Sequence, residues 1–223
     1  MNTSLKQRIY TELKQRIIVC KYRPGEFLTE EKLCEELGAS RTPVRDAISR
    51  LEQEQLLTIH PKKGIKVNRV SLRSVNELFE ARLRIEPYAV QQYGNRIRDD
   101  VYAEYITFFR KADWASEEMY KRDDEFHQMF VNATENRYII SFYQIVSDQV
   151  MRYRVLSDVD NRTRDSRQEH IDVAMHCLRG NWTQAAEAMR LHIENSKISI
   201  LNYVLSENLD TRNIFAAPME TDG

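Results

Sequence analysis

Apolar residues recur with helical spacing in the first third of the chain. Leu33 and Leu37 lie four residues apart on one predicted helix, and Gly38 follows them, where a helix end favours a residue that tolerates positive φ. A second predicted helix begins a few residues later, and its apolar face is formed by Val44, Ala47, Ile48 and Leu51. The spacing therefore predicts two short helices joined by a tight turn, which is a helix-turn-helix.

After these helices the pattern changes from helical to extended. Residues 56–59 and 65–67 predict two short strands, and the segment Pro61-Lys62-Lys63-Gly64 between them predicts the tip of a hairpin. A glycine next to lysines lets such a tip approach a DNA backbone closely. The helix pair and the hairpin together predict a winged helix-turn-helix.

Polar side chains on the second helix suggest what this segment binds. Arg41 and Arg45 carry guanidinium groups that can bond guanine O6 and N7 together, or hold a phosphate at two points. Ser40 stands where it can cap the helix. The predicted DNA-binding residues are Ser40, Arg41, Thr42, Arg45, Arg50, Lys62, Lys63 and Gly64. The alternative, a helical hairpin whose arginines are merely solvated, is disfavoured because the turn and the wing are both present.

From Ser71 onward the pattern predicts only helices. They are predicted at residues 72–92, 99–111, 116–133, 138–156, 163–179 and 183–205. We therefore expect a mainly α protein, with the winged helix-turn-helix at residues 1–70 and an antiparallel bundle of about six helices at residues 71–206. Residues 207–223 show little periodicity, and we expect them to form a disordered tail.

Charge and cysteine content narrow the class of protein. Residues 1–70 contain 14 Lys and Arg against 9 Asp and Glu, whereas the rest contains 19 against 25, so the front is basic and the back acidic. The three cysteines are widely spaced and predict reduced thiols. The chain shows no apolar signal segment and no membrane span. We expect a cytoplasmic protein without a membrane partner.

One carboxylate and three histidines in the second half are candidate metal ligands. Asp123 and His127 are four residues apart on one predicted helix, so both side chains point the same way. His170 and His192 lie on two later helices. Brought together in a bundle, these groups would suit a divalent cation, zinc first, with nickel or manganese as alternatives. Spacing alone leaves the ordinary alternative open, in which the histidines are hydrogen-bonded or half-exposed.

The first segment resembles the winged-helix domain of the GntR family of bacterial transcription regulators, in its FadR-like branch. The resemblance rests on Pro24-Gly25, on the run G-A-S-R-T-P-V-R-D-A-I from Gly38, and on the wing K-K-G-I-K-V. It implies that Arg41, Thr42 and Arg45 contact DNA. The chain departs from many members at Glu31, where they have an arginine, and this puts a DNA contact at that position in doubt.

The second segment resembles the helical ligand-sensing (FCD) domain of the same branch, through D-D-E-F-H, E-H-I-D-V-A-M-H-C-L-R-G-N and A-M-R-L-H-I. The resemblance implies metal binding by Asp123, His127, His170 and His192. Asp124 is a conceivable substitute for Asp123. His60 and His176 do not match the metal-ligand positions of the family, so neither is a candidate ligand.

Two arginines are candidates for binding an effector. The run F-E-A-R-L-R-I-E-P resembles the opening of the sensing domain, and it implies that Arg82 faces the ligand pocket. A guanidinium beside a metal suits a carboxylate ligand. The alternative for Arg82 is a surface pair with Glu86, four residues away. Arg152 is a weaker candidate, as is Arg154.

These features predict a ligand-responsive transcription regulator and not an enzyme. We expect a homodimer on a near-palindromic operator, with a small carboxylate or sugar acid as effector and repression as the commoner family mode. One alternative is the same regulator with a purely structural metal, or with none. Another is a helical metalloenzyme, but Glu125 is turned away from His127 by helical geometry, and no other acid or base partner stands apart from the ligands.

Overall fold

A computed structural model describes residues 4–111, 117–157 and 163–214. It divides into two compact units. The first unit comprises Met1–Val70 together with Ser141–Asp158, and the second comprises Ser71–Ile140 together with Val159–Gly223. None of the helices within the described ranges is long and apolar enough to span a bilayer.

The first unit contains the winged helix-turn-helix. Its helices are α1 (Leu5–Ile18), α2 (Glu30–Leu37) and α3 (Arg41–Gln53), and its strands are β1 (Phe27–Leu28), β2 (Leu57–His60) and β3 (Gly64–Val67). The strands form one antiparallel sheet in the order β1-β3-β2. The predicted apolar faces meet in one core, since Leu33, Val44, Ala47 and Leu51 are all fully buried.

Caps and turns of this unit follow from particular residues. The Thr29 side chain accepts a hydrogen bond from the Lys32 backbone and starts α2, and Gly38 ends that helix in the left-handed conformation. Gly64 at the wing has φ of +103°, and a Cβ there would lie 2.6 Å from the Leu28 carbonyl oxygen. Ser40 occupies the cap position of α3, but its side chain makes no capping hydrogen bond.

Helix α7 (Arg137–Ser157) packs in the first unit over most of its length. The Lys14 amine forms ion pairs with Asp148 on α7 and with Glu54 at the end of α3, and the Gln149 amide donates to the Glu54 carbonyl at 3.0 Å. The Arg152 guanidinium donates to the Asn68 carbonyl. The first unit therefore includes a helix from outside residues 1–70, and the domain boundary at residue 70 stays a prediction.

The second unit is helical throughout its described part. It contains α4 (Leu72–Tyr93), a short 3-10 turn (Gly94–Arg96), α5 (Asp99–Lys111), α6 (Glu117–Asn132), α8 (Thr163–Leu178) and α9 (Trp182–Ile214). Helix α9 packs against α4 and α8, α5 packs against α8, and α4 packs against α6. This arrangement brings α4, α6, α8 and α9 to one interior.

Two boundaries in this unit bear on the predictions. Ser71 and Ser74 form a reciprocal capping box at the start of α4, where the sequence pattern predicts that the helices begin. Helix α9 continues to Ile214, beyond its predicted end at Leu205, so the expected tail is helical at its beginning. The structure does not describe residues 112–116, 158–162 and 215–223, which include two of the gaps between predicted helices and the rest of the expected tail.

Candidate metal centre and DNA-binding surface

The four predicted metal ligands lie together inside the second unit. Asp123 and His127 come from α6, His170 from α8 and His192 from α9, and all four are buried. The i, i+4 spacing on α6 places its two ligands on the same face. One ring nitrogen from each histidine lies within 4.8 Å of the corresponding atoms of the other two.

The closest atoms of this cluster are electron-pair donors. Nε2 of His170 lies 3.2 Å from Nε2 of His127 and 3.0 Å from Oδ1 of Asp123, and His127 Nε2 lies 3.8 Å from Oδ2 of Asp123. Two nitrogens bound tetrahedrally to one zinc at its usual bond length stand about 3.3 Å apart. The spacing of the two imidazoles is therefore the spacing that a shared cation requires.

The other nitrogen of each imidazole faces an oxygen acceptor. Nδ1 of His127 lies 2.7 Å from Glu86 Oε2, and Nδ1 of His170 lies 2.6 Å from the Ser166 carbonyl. Nδ1 of His192 lies 2.8 Å from Glu169 Oε2. Donation from each Nδ1 places the ring proton there and leaves the Nε2 lone pair toward the cluster. Partners of this kind orient the histidine ligands of metal sites.

His192 supplies a direct sign that the cluster fits a metal ion. Its Nε2 atom is buried and has no hydrogen-bond partner among the described residues, and a buried polar atom without a partner is costly unless something binds it. Burial, together with the neighbouring His170 and His127, lowers the pKa of His192 well below its usual value. Burial also lowers the pKa of His127 to about 4, although Glu86 opposes that shift. Both rings are therefore neutral near pH 7, as a metal ligand must be.

Arg82 and Glu86 form a buried pair beside this cluster. Arg82 Nε donates to Glu86 Oε1 at 2.5 Å, and its Nη2 lies 3.3 Å from His127 Nδ1. The two residues are 2 % and 0 % exposed, so the pair predicted as a surface alternative exists but is interior. Although burial alone would raise the pKa of Glu86, Arg82 and His127 outweigh it and hold that pKa well below its usual range.

The neighbouring candidates lie differently. Asp124 is only half-buried, whereas Asp123 is buried, which favours Asp123 as the ligand. Glu125 faces outward and pairs with Lys121 and Arg122. It is therefore turned away from His127, as helical geometry predicted.

Arg152 is placed in the first unit and not in the histidine cluster. Arg152 is buried, and its guanidinium donates to the Asn68 carbonyl. The Cys20 thiol lies 3.9 Å from the backbone carbonyl of Arg152. Burial lowers the pKa of Arg152. These contacts give Arg152 a packing role within the first unit, and its role in effector binding stays a prediction.

The predicted DNA-binding residues fall into an exposed set and one packed residue. The exposed or partly exposed set is Ser40, Arg41, Thr42, Arg45, Lys62, Lys63 and Gly64. Arg50 is also partly exposed, but its guanidinium lies 3.5 Å from the centre of the Tyr10 ring and donates to Gln7 on α1. The exposed set spans the start of α3 and the tip of the wing, which are the parts that a winged helix presents to DNA.

Two sequence families match the chain. The model described as bacterial regulatory proteins, gntR family, matches residues 5–67, and the FCD domain model matches residues 77–195. The chain belongs to the GntR family of bacterial regulatory proteins. Its N-terminal part is the DNA-binding helix-turn-helix of that family, and its C-terminal part is an FCD domain. The family and the names of the relatives identify a transcription regulator and not an enzyme.

Named relatives of this GntR-family chain are similar over most of their length. The Nta operon transcriptional regulator of Aminobacter aminovorans is 28% identical over 187 residues, which cover 82% of this chain and 88% of the relative. The transcriptional repressor RspR of Escherichia coli (strain K12) is 24% identical over 215 residues, which cover 92% of each chain.

Solved structures show the same fold. A GntR regulator from Rhodococcus sp. RHA1 superposes with a TM-score of 0.76 at 21% identity, covering 90% of this chain and 99% of that one. The Zn2+-bound FCD domain of TM0439 superposes with a TM-score of 0.52 at 20% identity, covering 62% of this chain and 99% of that domain.

Sequence reasoning missed three groups of this GntR-family protein that orient the histidines. Glu86 was considered only as a partner of Arg82, and Glu169 and the Ser166 carbonyl were not considered. A weak signal existed for Glu169, because it precedes a candidate ligand directly in sequence. A backbone carbonyl gives no sequence signal at all.

Proposed function

We propose that this regulator represses transcription as a homodimer on a near-palindromic operator, and that a metal-dependent carboxylate effector releases it. The observation that carries the sensing part is the convergence of Asp123, His127, His170 and His192 in one buried cluster. Two identical winged domains related by twofold symmetry suit two half-sites of such an operator.

The metal would be held by one carboxylate and three imidazoles, with zinc as the first candidate. Support comes from the orphaned Nε2 of His192, from the Nδ1 partners that set the three rings, and from the zinc described for the FCD domain of TM0439. Nickel and manganese also suit nitrogen and oxygen ligands. When bound, the ion would act as a Lewis acid toward an oxygen of the effector.

Arg82 supports a carboxylate as the effector. It is a buried cation whose Nη2 lies 3.3 Å from a ring nitrogen of His127, so it stands next to the candidate ligands. A small organic or sugar acid could place one oxygen on the metal and another on the guanidinium. The Arg82–Glu86 bond would at the same time hold the guanidinium in place.

Repression is supported by the name of one relative, since RspR is named a repressor. The resemblance to the family implies repression relieved by effector as the commoner mode. To change occupancy from mostly bound to mostly released, an effector must favour one conformation by about 5 kcal/mol. The same regulator with a purely structural metal remains the second candidate.

The first experiment measures metal content by plasma mass spectrometry on tag-free protein. Wild type and the His176→Ala control should contain near-stoichiometric metal, whereas the His127→Ala/His170→Ala variant should contain little. His176 is a suitable control because it lies on α8 but outside the four-residue cluster. Absence of metal in wild type, even after incubation with zinc, nickel and manganese, would refute the metal-dependent mechanism.

The second experiment measures DNA binding by the metal-loaded protein. DNA from upstream of its own gene is titrated at several salt concentrations, with and without a panel of organic and sugar acids. The proposal expects salt-sensitive, sequence-dependent binding that one class of acid weakens, and loss of that response in Arg82→Lys. If chelation lowers the melting temperature while no acid alters DNA binding, the metal is structural.

A further inference from the structure

Two acidic residues at the start of α2 are paired with the two arginines at the start of α3. Arg45 Nε lies 2.9 Å from each carboxylate oxygen of Glu30, and Arg41 Nη2 lies 3.2 Å from Oε1 of Glu31. The partners are 15 and 10 residues apart in sequence, so the turn between the helices brings them together. The predicted DNA-binding surface therefore carries two carboxylates beside its arginines.

Helix-end electrostatics explain only part of this arrangement. Glu30 and Glu31 occupy the first turn of α2, where acidic residues stabilise the positive end of the helix dipole. That effect requires a carboxylate near the helix end but no arginine partner. The dipole therefore accounts for the acidic residues, and it leaves their contacts with Arg41 and Arg45 to be explained.

The pairs are exposed, so they contribute little to folding. The side chains of Arg41 and Glu31 are 65% and 69% exposed, and those of Arg45 and Glu30 are 62% and 30% exposed. Ion pairs in such positions stabilise a protein by at most about 1 kcal/mol. Their effect on DNA binding is larger, because a phosphate that takes either arginine leaves a carboxylate unpaired beside a strongly negative backbone.

The bonds also leave part of each guanidinium available. Arg45 uses Nε for Glu30, and Arg41 uses Nη2 for Glu31, so each retains at least one terminal amino group that does not bond these carboxylates. A guanine edge is uncharged and accepts two hydrogen bonds from an arginine. An arginine held by a carboxylate can therefore bond guanine at a smaller electrostatic cost than it can bond phosphate.

We propose that Glu30 and Glu31 are specificity-determining residues, which hold Arg45 and Arg41 for base contacts and disfavour their use on phosphates. The proposal rests on the proposed function and on the predicted contacts of these two arginines with the operator. The two carboxylates weaken binding to all DNA, and they weaken binding to non-specific DNA more than binding to the operator.

The test compares the binding of wild type and variants to two DNA duplexes. Wild-type protein first enriches a duplex from a random-sequence library, and a shuffled duplex of the same composition serves as non-specific DNA. Affinities of wild type, Glu30→Gln, Glu31→Gln and the control Glu35→Gln are measured by fluorescence anisotropy over a range of salt concentrations. Glu35 is a suitable control because it is an exposed glutamate of α2 with no ion pair recorded in the described part of the chain.

Removal of either carboxylate should increase affinity for the shuffled duplex several-fold and change affinity for the enriched duplex much less. The ratio of the two affinities should therefore fall several-fold, near the lower end of the range of one lost arginine–guanine discrimination. The slope of log affinity against log salt should steepen by about one unit on shuffled DNA, because the released arginine gains a phosphate. In an Arg45→Ala background, Glu30→Gln should have no further effect on the ratio.

Other outcomes would overturn the inference. If Glu30→Gln and Glu31→Gln change the ratio no more than Glu35→Gln does, the carboxylates do not set specificity, and the proposed function stands. If wild type enriches no sequence from the library, both the proposed function and this inference fail. Thermal melting of each variant identifies an effect that comes from a destabilised α2.

Discussion

Nδ1 of His127 lies 2.7 Å from Oε2 of Glu86, a residue 41 positions earlier in the chain. The Glu86 carboxylate also pairs with Arg82, so one buried anion joins a candidate metal ligand to a candidate effector contact. Each member of this trio has a distinct electrostatic role. Arg82 keeps Glu86 ionised, Glu86 sets the His127 ring, and the ring is left with its Nε2 lone pair toward the cluster.

Replacement of Glu86 should therefore weaken metal binding without removing a ligand. We expect Glu86→Gln to reduce zinc affinity about 10- to 100-fold, the usual effect of losing a partner that orients a histidine ligand. The variant should also be less stable by about 3–5 kcal/mol, because Arg82 loses its buried counter-charge. Competition with a chelator and denaturant unfolding measure the two effects.

The control for this variant is Glu77→Gln on the same helix. Glu77 pairs with Arg73 at the surface, where both side chains are exposed. Its replacement should leave zinc affinity unchanged and alter stability by no more than about 0.5 kcal/mol. Equal zinc affinities for Glu86→Gln and wild type would contradict the assigned role.

His192 should link zinc binding to thermal stability. A zinc concentration 100-fold above the dissociation constant should stabilise wild type by about 2.7 kcal/mol, which calorimetry detects as a rise in melting temperature. His192→Ala removes the one ring whose Nε2 is buried without a partner, so the rise should disappear or shrink strongly. His176→Ala should retain it. A full rise in His192→Ala would show that zinc stabilises the protein elsewhere.

Local sequence patterns predicted the helices because their causes are local. The apolar face of α3 and the end of α2 at Gly38 depend on residues within one or two turns, and the sequence predicts both. The ligand set was also readable, since Asp123 and His127 share one helix face. The resemblance to FCD domains then indicated which later histidines belong with them.

Long-range contacts were not readable in this way. Nothing in the sequence of α7 shows that Asp148 will pair with Lys14, because an acidic residue on a helix is ordinarily solvated. The pairing of Glu30 with Arg45 likewise depends on the angle between two helices, which the turn sets and periodicity does not. The bond from His170 to the Ser166 carbonyl involves backbone, which every residue possesses.

The stability of metal-free protein should fall as the pH decreases from about 6.5 toward 4. The pKa of His127 in the folded protein is about 4, and that of His192 is also lowered, whereas an unfolded histidine has a pKa near 6.5. Between these values the unfolded chain binds protons that the folded chain does not, so acid favours unfolding. For His127 alone the loss amounts to about 3 kcal/mol at the lower end of the range.

Urea unfolding of chelator-treated protein at pH values from 7.5 to 4.5 measures this dependence. His127→Gln cannot titrate at this position, so its stability should vary less steeply over the same range. A wild-type curve that is flat between pH 6.5 and 5 would show that the buried rings take up protons with the same pKa as histidines of the unfolded chain, which contradicts the lowered pKa.

The Lys14 network should be important for the stability of the first unit. The amine is only 14% exposed and lies between Asp148 of α7 and Glu54, with the Tyr10 hydroxyl 3.1 Å away. Burial would lower the pKa of Lys14, but the two carboxylates outweigh it and raise that pKa above its usual value. Lys14→Met leaves both carboxylates without their cation, so we expect a loss of about 3–5 kcal/mol in the free energy of unfolding.

Lys6→Met provides the matched control, because it makes the same change on the same helix at an exposed position. Lys6 pairs with Asp46 at 3.7 Å, and its side chain is 59% exposed, so the expected effect is within about 0.5 kcal/mol. Denaturant unfolding followed by circular dichroism compares the two variants with wild type. A small loss in Lys14→Met would mean that water or a proton compensates the carboxylates, and that the contact between α1 and α7 depends on apolar packing alone.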